Sequence, residues 1–231
     1  MRVIGNSDRR LVRRTIQLFA GLALYGASIA LMVDSGLGLT SWDVFHQGVA
    51  KVTGLSIGVV VILAGIPLLL LWIPLRQRIG FGTLANLVVV GLVMDGTLAV
   101  LPPATGLPMR ITDLVVGILL NGLATGLYIG ARLGPGPRDG LMTGVVNRFP
   151  RLSIRLVRTG IELTVLLIGF LLGGTVGFGT LAYALAIGPL AQLFLPICTV
   201  PERRRCGPGC QTSNRHSRDE MSGHAGRSAG R

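Results

Sequence analysis

The chain has 231 residues, of which half are hydrophobic and 14% are charged, and its mean hydropathy is +0.64. Soluble domains carry about 25% charged residues, so this composition excludes an ordinary two-domain soluble enzyme. The three cysteines are too few for a disulfide-rich secreted domain. The formal net charge is +12, from 22 basic and 10 acidic residues. Because the basic residues stand between long apolar runs, they indicate the loops of a membrane protein rather than a nucleic-acid site.

Six apolar segments are each long enough to cross a bilayer, which takes about 20 predominantly apolar residues. Backbone groups in hydrocarbon must form their hydrogen bonds internally, so these segments predict helices and an all-α fold class. Residues 58–73 show no alternation of period two, which argues against barrel strands. The predicted spans are 15–33, 56–75, 81–101, 111–131, 154–172 and 178–198.

The basic residues predict the orientation of these spans in the cell membrane. With residues 1–14 in the cytoplasm and six crossings, 20 of the 22 Lys and Arg fall on the cytoplasmic side, and only Lys51 and Arg110 fall outside. Both termini are then cytoplasmic. The basic residues before the first span resemble a signal peptide, but this apolar run exceeds the usual length of about 7–15 residues, so we expect the span to be retained. Residues 199–231 are predicted to be a disordered basic tail.

The sequence contains an internal repeat. GFGTLA occurs at 80–85 and again at 177–182, 97 residues apart, and loop motifs recur in the same order. The chain therefore divides into a first half, 15–101, an outer linker, 102–110, and a second half, 111–198, with three spans in each half. Because three is an odd number, the second half enters the membrane from the opposite side. This predicts an inverted repeat, the architecture of many secondary transporters.

A Gly-rich motif that ends in an aspartate follows the first span of each half. The first copy is GLGLTSWD, residues 36–43, and the second is LGPGPRD, residues 133–139. Glycine and proline end the preceding span, and the aspartate can cap a short helix over roughly 43–52 or 139–149. Each half is thus predicted to contain one short helix, interfacial or re-entrant, besides its three spans.

The motif residues are the first candidates for a site on the path of a substrate or ion. Asp43 and Asp139 are either simple N-caps of helices at the membrane interface or part of re-entrant half-helices. In the second case the positive N-termini of the two helices would meet near the midplane and form an ion or anion site. Trp42 aligns with Arg138, so the halves differ where specificity would be set. His46 lies on the polar face of the first short helix.

Polar residues inside the spans supply the other candidates, because ionisable groups in hydrocarbon are costly. Asp95 in the third span aligns with Gln192 in the sixth. The two residues form either a proton- or cation-coupling site or merely hydrogen bonds between helices. Arg158 and Glu162 are spaced i,i+4 and share a helix face. They are either a neutralised pair that fixes the fifth span or a pair with a specific role.

The tail residues Cys206 and Cys210, followed by His216 and His224, loosely resemble a set of zinc ligands. The spacing of the two cysteines is not a standard one, so we expect no metal site. The sequence contains no motif of nucleotide-binding enzymes, serine hydrolases or zinc proteases. We therefore expect no cofactor, no catalytic residue and no enzyme activity.

Three stretches carry a family resemblance: GLGLTSWDVFHQG, LWIPLRQRIGFGTLAN and GPGPRDGLMTGV. They resemble the YczE-like branch of the YitT-type bacterial integral membrane proteins, whose biochemical activity is uncharacterised. The similarity covers about residues 15–198. It implies a multi-span helical membrane protein and no particular catalytic residue.

These features together predict secondary transport or permeation of a small solute, with one half rocking against the other. Asp43, Asp95, Asp139 and Gln192 would line or gate the path. The alternative is a non-transporting scaffold or regulator that binds a protein partner through its Gly-rich faces and basic loops. The expected partners are the lipid bilayer and an unknown small solute or ion, and no nucleic acid. The GxxxG pattern at 122–126 is compatible with a homodimer.

Overall fold

The computed structural model describes residues 6–149, 151 and 153–199, and all regular structure in these ranges is helical. The predicted all-α class is therefore confirmed. The tail from residue 200 on, with its candidate zinc ligands, lies outside the described residues. Within the described residues there are eight helices: α1 (Asn6–Ser35), α2 (Ser41–Thr53), α3 (Ile57–Trp72), α4 (Phe81–Val100), α5 (Leu107–Gly130), α6 (Pro137–Arg148), α7 (Ile154–Leu171) and α8 (Phe178–Cys198).

Four of these helices, α1, α4, α5 and α8, are long and apolar enough to cross a membrane. α2 and α3 are bent by 110° against each other and meet the same requirement only as a pair. α3 alone has 16 residues, because it ends at Trp72, two residues before Pro74. α7 carries Arg155, Arg158 and Glu162 among its 18 residues. The structure thus supports four or five spans by length and composition, and the six predicted crossings stay a prediction.

The order of helices in the first half recurs in the second: one long helix, one short helix and two of intermediate length. The long helices α1 and α5 pack against each other, while α4 packs on α1 as α8 packs on α5. Gly122 and Gly126 of the GxxxG pattern face Leu190 and Phe194 of α8, so this pattern packs within the chain. The short helices cross between the halves, since α2 packs on α7 and α6 packs on α3.

The loop before each short helix is bonded to the last helix of the other half. The N–H of Gly179 donates to the carbonyl oxygen of Leu37 (2.8 Å), and the N–H of Gly82 donates to that of Leu133 (3.1 Å). Both loops pass through a left-handed backbone conformation that favours glycine. The glycines are Gly38 (φ 128°) and Gly134 (φ 137°). These contacts hold the starts of α2 and α6 near the boundary between the halves.

The two pairs of final helices pack differently. α3 and α4 approach closely, because a Cβ on Gly91 would lie only 2.5 Å from the carbonyl oxygen of Gly58, and a Cβ on Gly58 would collide with that of Gly91. Gly188 of α8 matches Gly91, but nothing described lies within 4 Å of the place where its Cβ would be. Arg155 of α7 occupies the position that matches Gly58. The gap between α7 and α8 has no counterpart between α3 and α4.

Candidate functional site

A cavity of about 430 Å³ lies where the N-termini of α2 and α6 come together. Residues 40–42 line it from the start of α2, and residues 136–139 line it from the start of α6. α7 and α8 contribute Arg158, Glu162 and a row of residues along α8 that includes Gly188. The cavity therefore occupies the gap between α7 and α8 and reaches inward to both short helices.

Arg138, in the first turn of α6, projects its charge towards this cavity. Its guanidinium carbon lies over the indole ring of Trp42, 5.6 Å from the ring centroid, an arrangement that cation–π attraction stabilises. Among the residues that the structure describes, no hydrogen bond and no salt bridge engages this guanidinium. The neighbouring carboxylate of Asp139 instead accepts a hydrogen bond from the hydroxyl of Tyr128 (2.7 Å). The cavity wall thus holds a cation that no described acid neutralises by direct contact.

The start of α2 is built differently, around a buried group of polar side chains. The hydroxyl of Thr40 accepts a hydrogen bond from the N–H of Asp43 (3.3 Å) and donates one to its Oδ2 (2.6 Å). The Oδ1 of Asp43 lies 3.5 Å from the Nδ1 of His46. All three side chains are buried, with exposed fractions of 4%, 1% and 3%. Only Thr40 lines the cavity, so Asp43 and His46 lie behind its wall.

Both short helices begin at the cavity, with residues of their first turns in its lining. The first N–H groups of a helix have no partner within it, and the N-terminus carries about half a positive charge. In α2 these are the N–H groups of Ser41 and Trp42, and in α6 those of Arg138 and Asp139. Pro137 at the first position of α6 has a backbone angle suited to a helix start. The two helix N-termini therefore add positive potential at this end of the cavity, beside the charges of Arg138 and Asp139 in its lining.

All three tyrosines of the chain line the cavity. The hydroxyl of Tyr183 donates to Oδ1 of Asn121 (2.9 Å), and the amide of Asn121 donates to Ser28 (2.9 Å). This chain of bonds joins α8, α5 and α1. The rings of Tyr25 and Tyr128 meet edge to face, with centroids 5.9 Å apart. The tyrosines thus place hydroxyl groups in the cavity wall, and hydrogen bonds and ring packing hold these side chains in position.

Arg158 and Glu162 form the predicted pair on α7. The Nε of Arg158 donates to Oε1 of Glu162 at 3.0 Å, and both residues line the cavity. The exposed fractions of the two side chains are 59% and 36%, so the pair is open to the surroundings. The charges of this pair neutralise each other at the cavity wall.

Asp95 and Gln192 are not brought together. Asp95 accepts hydrogen bonds from the hydroxyl of Ser56 (2.5 Å) and from the N–H of Gly58 (2.8 Å), so it fastens α4 to the start of α3. Gln192 is exposed on α8, and neither residue lines the cavity. The reason is that α4 packs on α1 while α8 packs on α5, so their matching positions face different neighbours.

Of the residues predicted from sequence, the structure brings five to the cavity and two directly behind it. The five are Trp42, Arg138, Asp139, Arg158 and Glu162, and the two are Asp43 and His46. Sequence reasoning missed Thr40 and the tyrosines. Tyrosine in membrane proteins concentrates at the interfaces, so Tyr25 at the centre of a predicted span was a usable signal. Within the described ranges, no group of three or more His, Cys, Asp or Glu is placed to hold a metal ion.

Comparison with known proteins gives a family but no activity. A family model described as a family of unknown function, DUF6198, matches residues 12–196. An uncharacterised protein of Haemophilus influenzae is 46% identical over 183 residues, which cover 79% of this chain and 83% of that protein. The uncharacterised membrane protein YczE of Bacillus subtilis is 32% identical over 191 residues, 81% of this chain and 88% of YczE. YyaS of the same organism, also uncharacterised, is 27% identical over 181 residues, 77% of this chain and 90% of YyaS.

No solved structure matches the chain. The similarity to YczE confirms the resemblance drawn from the motifs. Together with the apolar helices, it identifies a membrane protein whose function is not assigned.

Proposed function

We propose that this chain, which belongs to the DUF6198 family, is a secondary transporter that carries a small solute through the cavity between its two halves. One observation carries the proposal: matching positions of the two halves face a single cavity. Trp42 and Arg138 are such a pair, and Asn86 and Tyr183 are another. A site between two repeats is where inverted-repeat transporters bind their substrates. The solute passes unchanged, so the proposed function needs no catalytic residue.

In this proposal the chain crosses the membrane six times, and α2 and α6 are re-entrant half-helices. The burial of α2 supports this, because Asp43 and His46 are buried together with Trp42 and Val44. A helix lying flat at the interface would expose its polar face to water. Irregular backbone at membrane depth is tolerated where it lines a cavity, as the loops before α2 and α6 do here.

The different packing of the two final helix pairs supplies a mechanism. α3 and α4 are closed on each other at Gly58 and Gly91, whereas the cavity separates α7 from α8. If the halves are inverted, these two gaps lead to opposite sides of the membrane. Closing the second gap while the first opens would expose the same cavity to the other side. This exchange is the alternating access that secondary transporters require.

Cysteine labelling tests the proposal without knowledge of the solute. In a background with Cys198, Cys206 and Cys210 replaced by serine, Ala184→Cys and Leu87→Cys are compared in oriented vesicles with a membrane-impermeant maleimide. Ala184 is exposed at the cavity, and Leu87 is its buried counterpart in the first half. We expect Ala184→Cys to react from one face of the membrane, and Leu87→Cys to react more slowly and from the opposite face.

Two results would contradict this proposal. If Ala184→Cys reacts from neither face, the cavity is not accessible and the chain is better explained as a non-transporting scaffold. If both cysteines react from the same face, access does not alternate. A variant that fails to reach the membrane is recognised beforehand by immunoblotting of the membrane fraction.

A further inference from the structure

Arg138 is the charged side chain of the cavity lining that makes no hydrogen bond and no salt bridge to a described residue. A guanidinium carries five N–H donors in a planar fork and stays protonated. The structure gives those donors no hydrogen-bond acceptor among the described residues. A buried polar group without a partner is costly, and inside a membrane protein an unpaired cation is more so. The absence of a hydrogen-bond partner for Arg138 is explained if the solute supplies the acceptor.

The acidic groups at the cavity already have hydrogen-bond or salt-bridge partners. Asp139 accepts a hydrogen bond from the hydroxyl of Tyr128, and Glu162 is paired with Arg158. Asp43 is bonded to Thr40 behind the wall. An incoming cation would have to displace one of these partners, whereas an anion finds Arg138 unoccupied. The cavity therefore favours an anion over a cation.

The surroundings of Arg138 favour the same sign of charge. The N-termini of α2 and α6 both begin at this end of the cavity and attract negative groups. Trp42 is 7% exposed and lines the cavity, and its indole N–H has no hydrogen-bond partner among the described residues. This unpaired donor is a second, independent indication that an acceptor is missing here.

We propose that the transported solute carries an oxyanion, a carboxylate or a phosphate, and that Arg138 binds it through its guanidinium fork. The guanidinium carbon lies over the ring of Trp42, 5.6 Å from its centroid, and no described acceptor engages the N–H groups, which are therefore available for two parallel hydrogen bonds. Carboxylates and phosphates accept such a pair of bonds and spherical halides do not. The inference rests on the transport function proposed above and names the class of solute.

Binding to the purified full-length protein in a neutral detergent tests this assignment. Succinate and inorganic phosphate are titrated calorimetrically, with succinamide as the uncharged isostere of succinate and chloride as the halide. We expect succinate or phosphate to bind. The one that binds more tightly shows whether the solute carries a carboxylate or a phosphate. Succinamide should not bind, and chloride should bind at least tenfold more weakly.

Substitutions of Arg138 test whether this residue binds the oxyanion. Arg138→Gln should lower the affinity for the tighter-binding oxyanion at least tenfold. Arg138→Lys, which keeps the charge but loses the planar fork of donors, should lower that affinity less. Arg148→Gln is the matched control, since Arg148 is exposed in the last turn of the same helix, and should leave affinity unchanged. Arg138→Lys also keeps the test decisive if Arg138→Gln does not fold.

The oxyanion assignment is overturned if neither oxyanion binds, if chloride binds as tightly as the better oxyanion, or if both variants of Arg138 bind like the parent protein. Its failure is distinguishable from failure of the transport function. Alternating labelling of Ala184→Cys and Leu87→Cys without oxyanion binding would leave transport in place and remove only the solute class. Oxyanion binding without such labelling would leave a binding site and remove transport.

Discussion

The starts of α2 and α6 carry two copies of a similar sequence motif but differ in structure. At α2, Thr40 caps the helix with its side chain and joins Asp43 in a buried network. At α6, Gly136 provides no side-chain cap, and Arg138 and Asp139 face the cavity. Both helix starts reach one cavity, and the residues at each start decide whether it supports the cavity wall or presents charge to it.

The first prediction separates these two roles by removing each aspartate. Asp43→Ala leaves the hydroxyl of Thr40 buried without its acceptor and removes the carboxylate that lies 3.5 Å from Nδ1 of His46, so we expect a loss of about 3 kcal/mol in unfolding free energy. Asp139→Ala removes one hydrogen bond from Tyr128 at an exposed position, so the loss should stay below about 1 kcal/mol. Urea titration of both variants in the same detergent measures the difference in unfolding free energy. Equal losses would show that the side chains at the start of α2 do not stabilise the fold more than the hydrogen bond at the start of α6.

The second prediction tests the closed and open helix pairs with matched glycines. Gly91→Ala forces a Cβ against the backbone of α3, so we expect it to destabilise the protein by about 2 kcal/mol. Gly188→Ala meets open space and should be neutral or stabilising by about 0.5 kcal/mol, because glycine is a poor helix former. The melting temperatures of the two variants provide the check. A comparable loss at Gly188 would mean that α7 and α8 pack closely after all.

The third prediction compares the two tryptophans. The indole N–H of Trp72 donates to the carbonyl oxygen of Pro137 (3.1 Å) and so fixes the start of α6 to the end of α3. The N–H of Trp42 has no described partner. Both Trp→Phe substitutions remove the same ring volume, but Trp72→Phe alone breaks a described hydrogen bond, while Trp42→Phe weakens the cation–π contact with Arg138. We expect Trp72→Phe to cost about 1 kcal/mol more than Trp42→Phe in urea titrations, and the reverse order would argue against this role of Trp72.

The sequence predicted what is local and missed what depends on packing between helices. The all-helical class follows from apolar runs, and the pair Arg158 and Glu162 follows from helical spacing. Asp95 lies 39 residues from Ser56 along the chain, and no pattern of period or composition indicates that the two meet. The end of α3 at Trp72 was also missed, because hydropathy continued through Pro74 while the helix did not. The cavity itself depends on which helices remain apart, which no single segment encodes.

The smallest predicted effect concerns the serine caps of α3 and α7, which occupy matching positions of the two halves. Ser56 and Ser153 each accept a hydrogen bond from the N–H three residues on, Val59 and Leu156, at 3.4 Å. Loss of such a cap costs about 1 kcal/mol. Ser56 alone also donates to a carboxylate, that of Asp95, and in membrane proteins an interhelical hydrogen bond adds about 0.6 kcal/mol.

Ser56→Ala should therefore destabilise the protein by about 0.6 kcal/mol more than Ser153→Ala, a difference that replicate urea titrations resolve. In an Asp95→Ala background the difference should vanish, because the extra partner of Ser56 is gone. If it persists there, the greater cost at Ser56 arises from the cap itself. The closed state of α3 on α4 would then depend on the glycine contacts alone, and Asp95 would have no part in holding that side of the cavity shut.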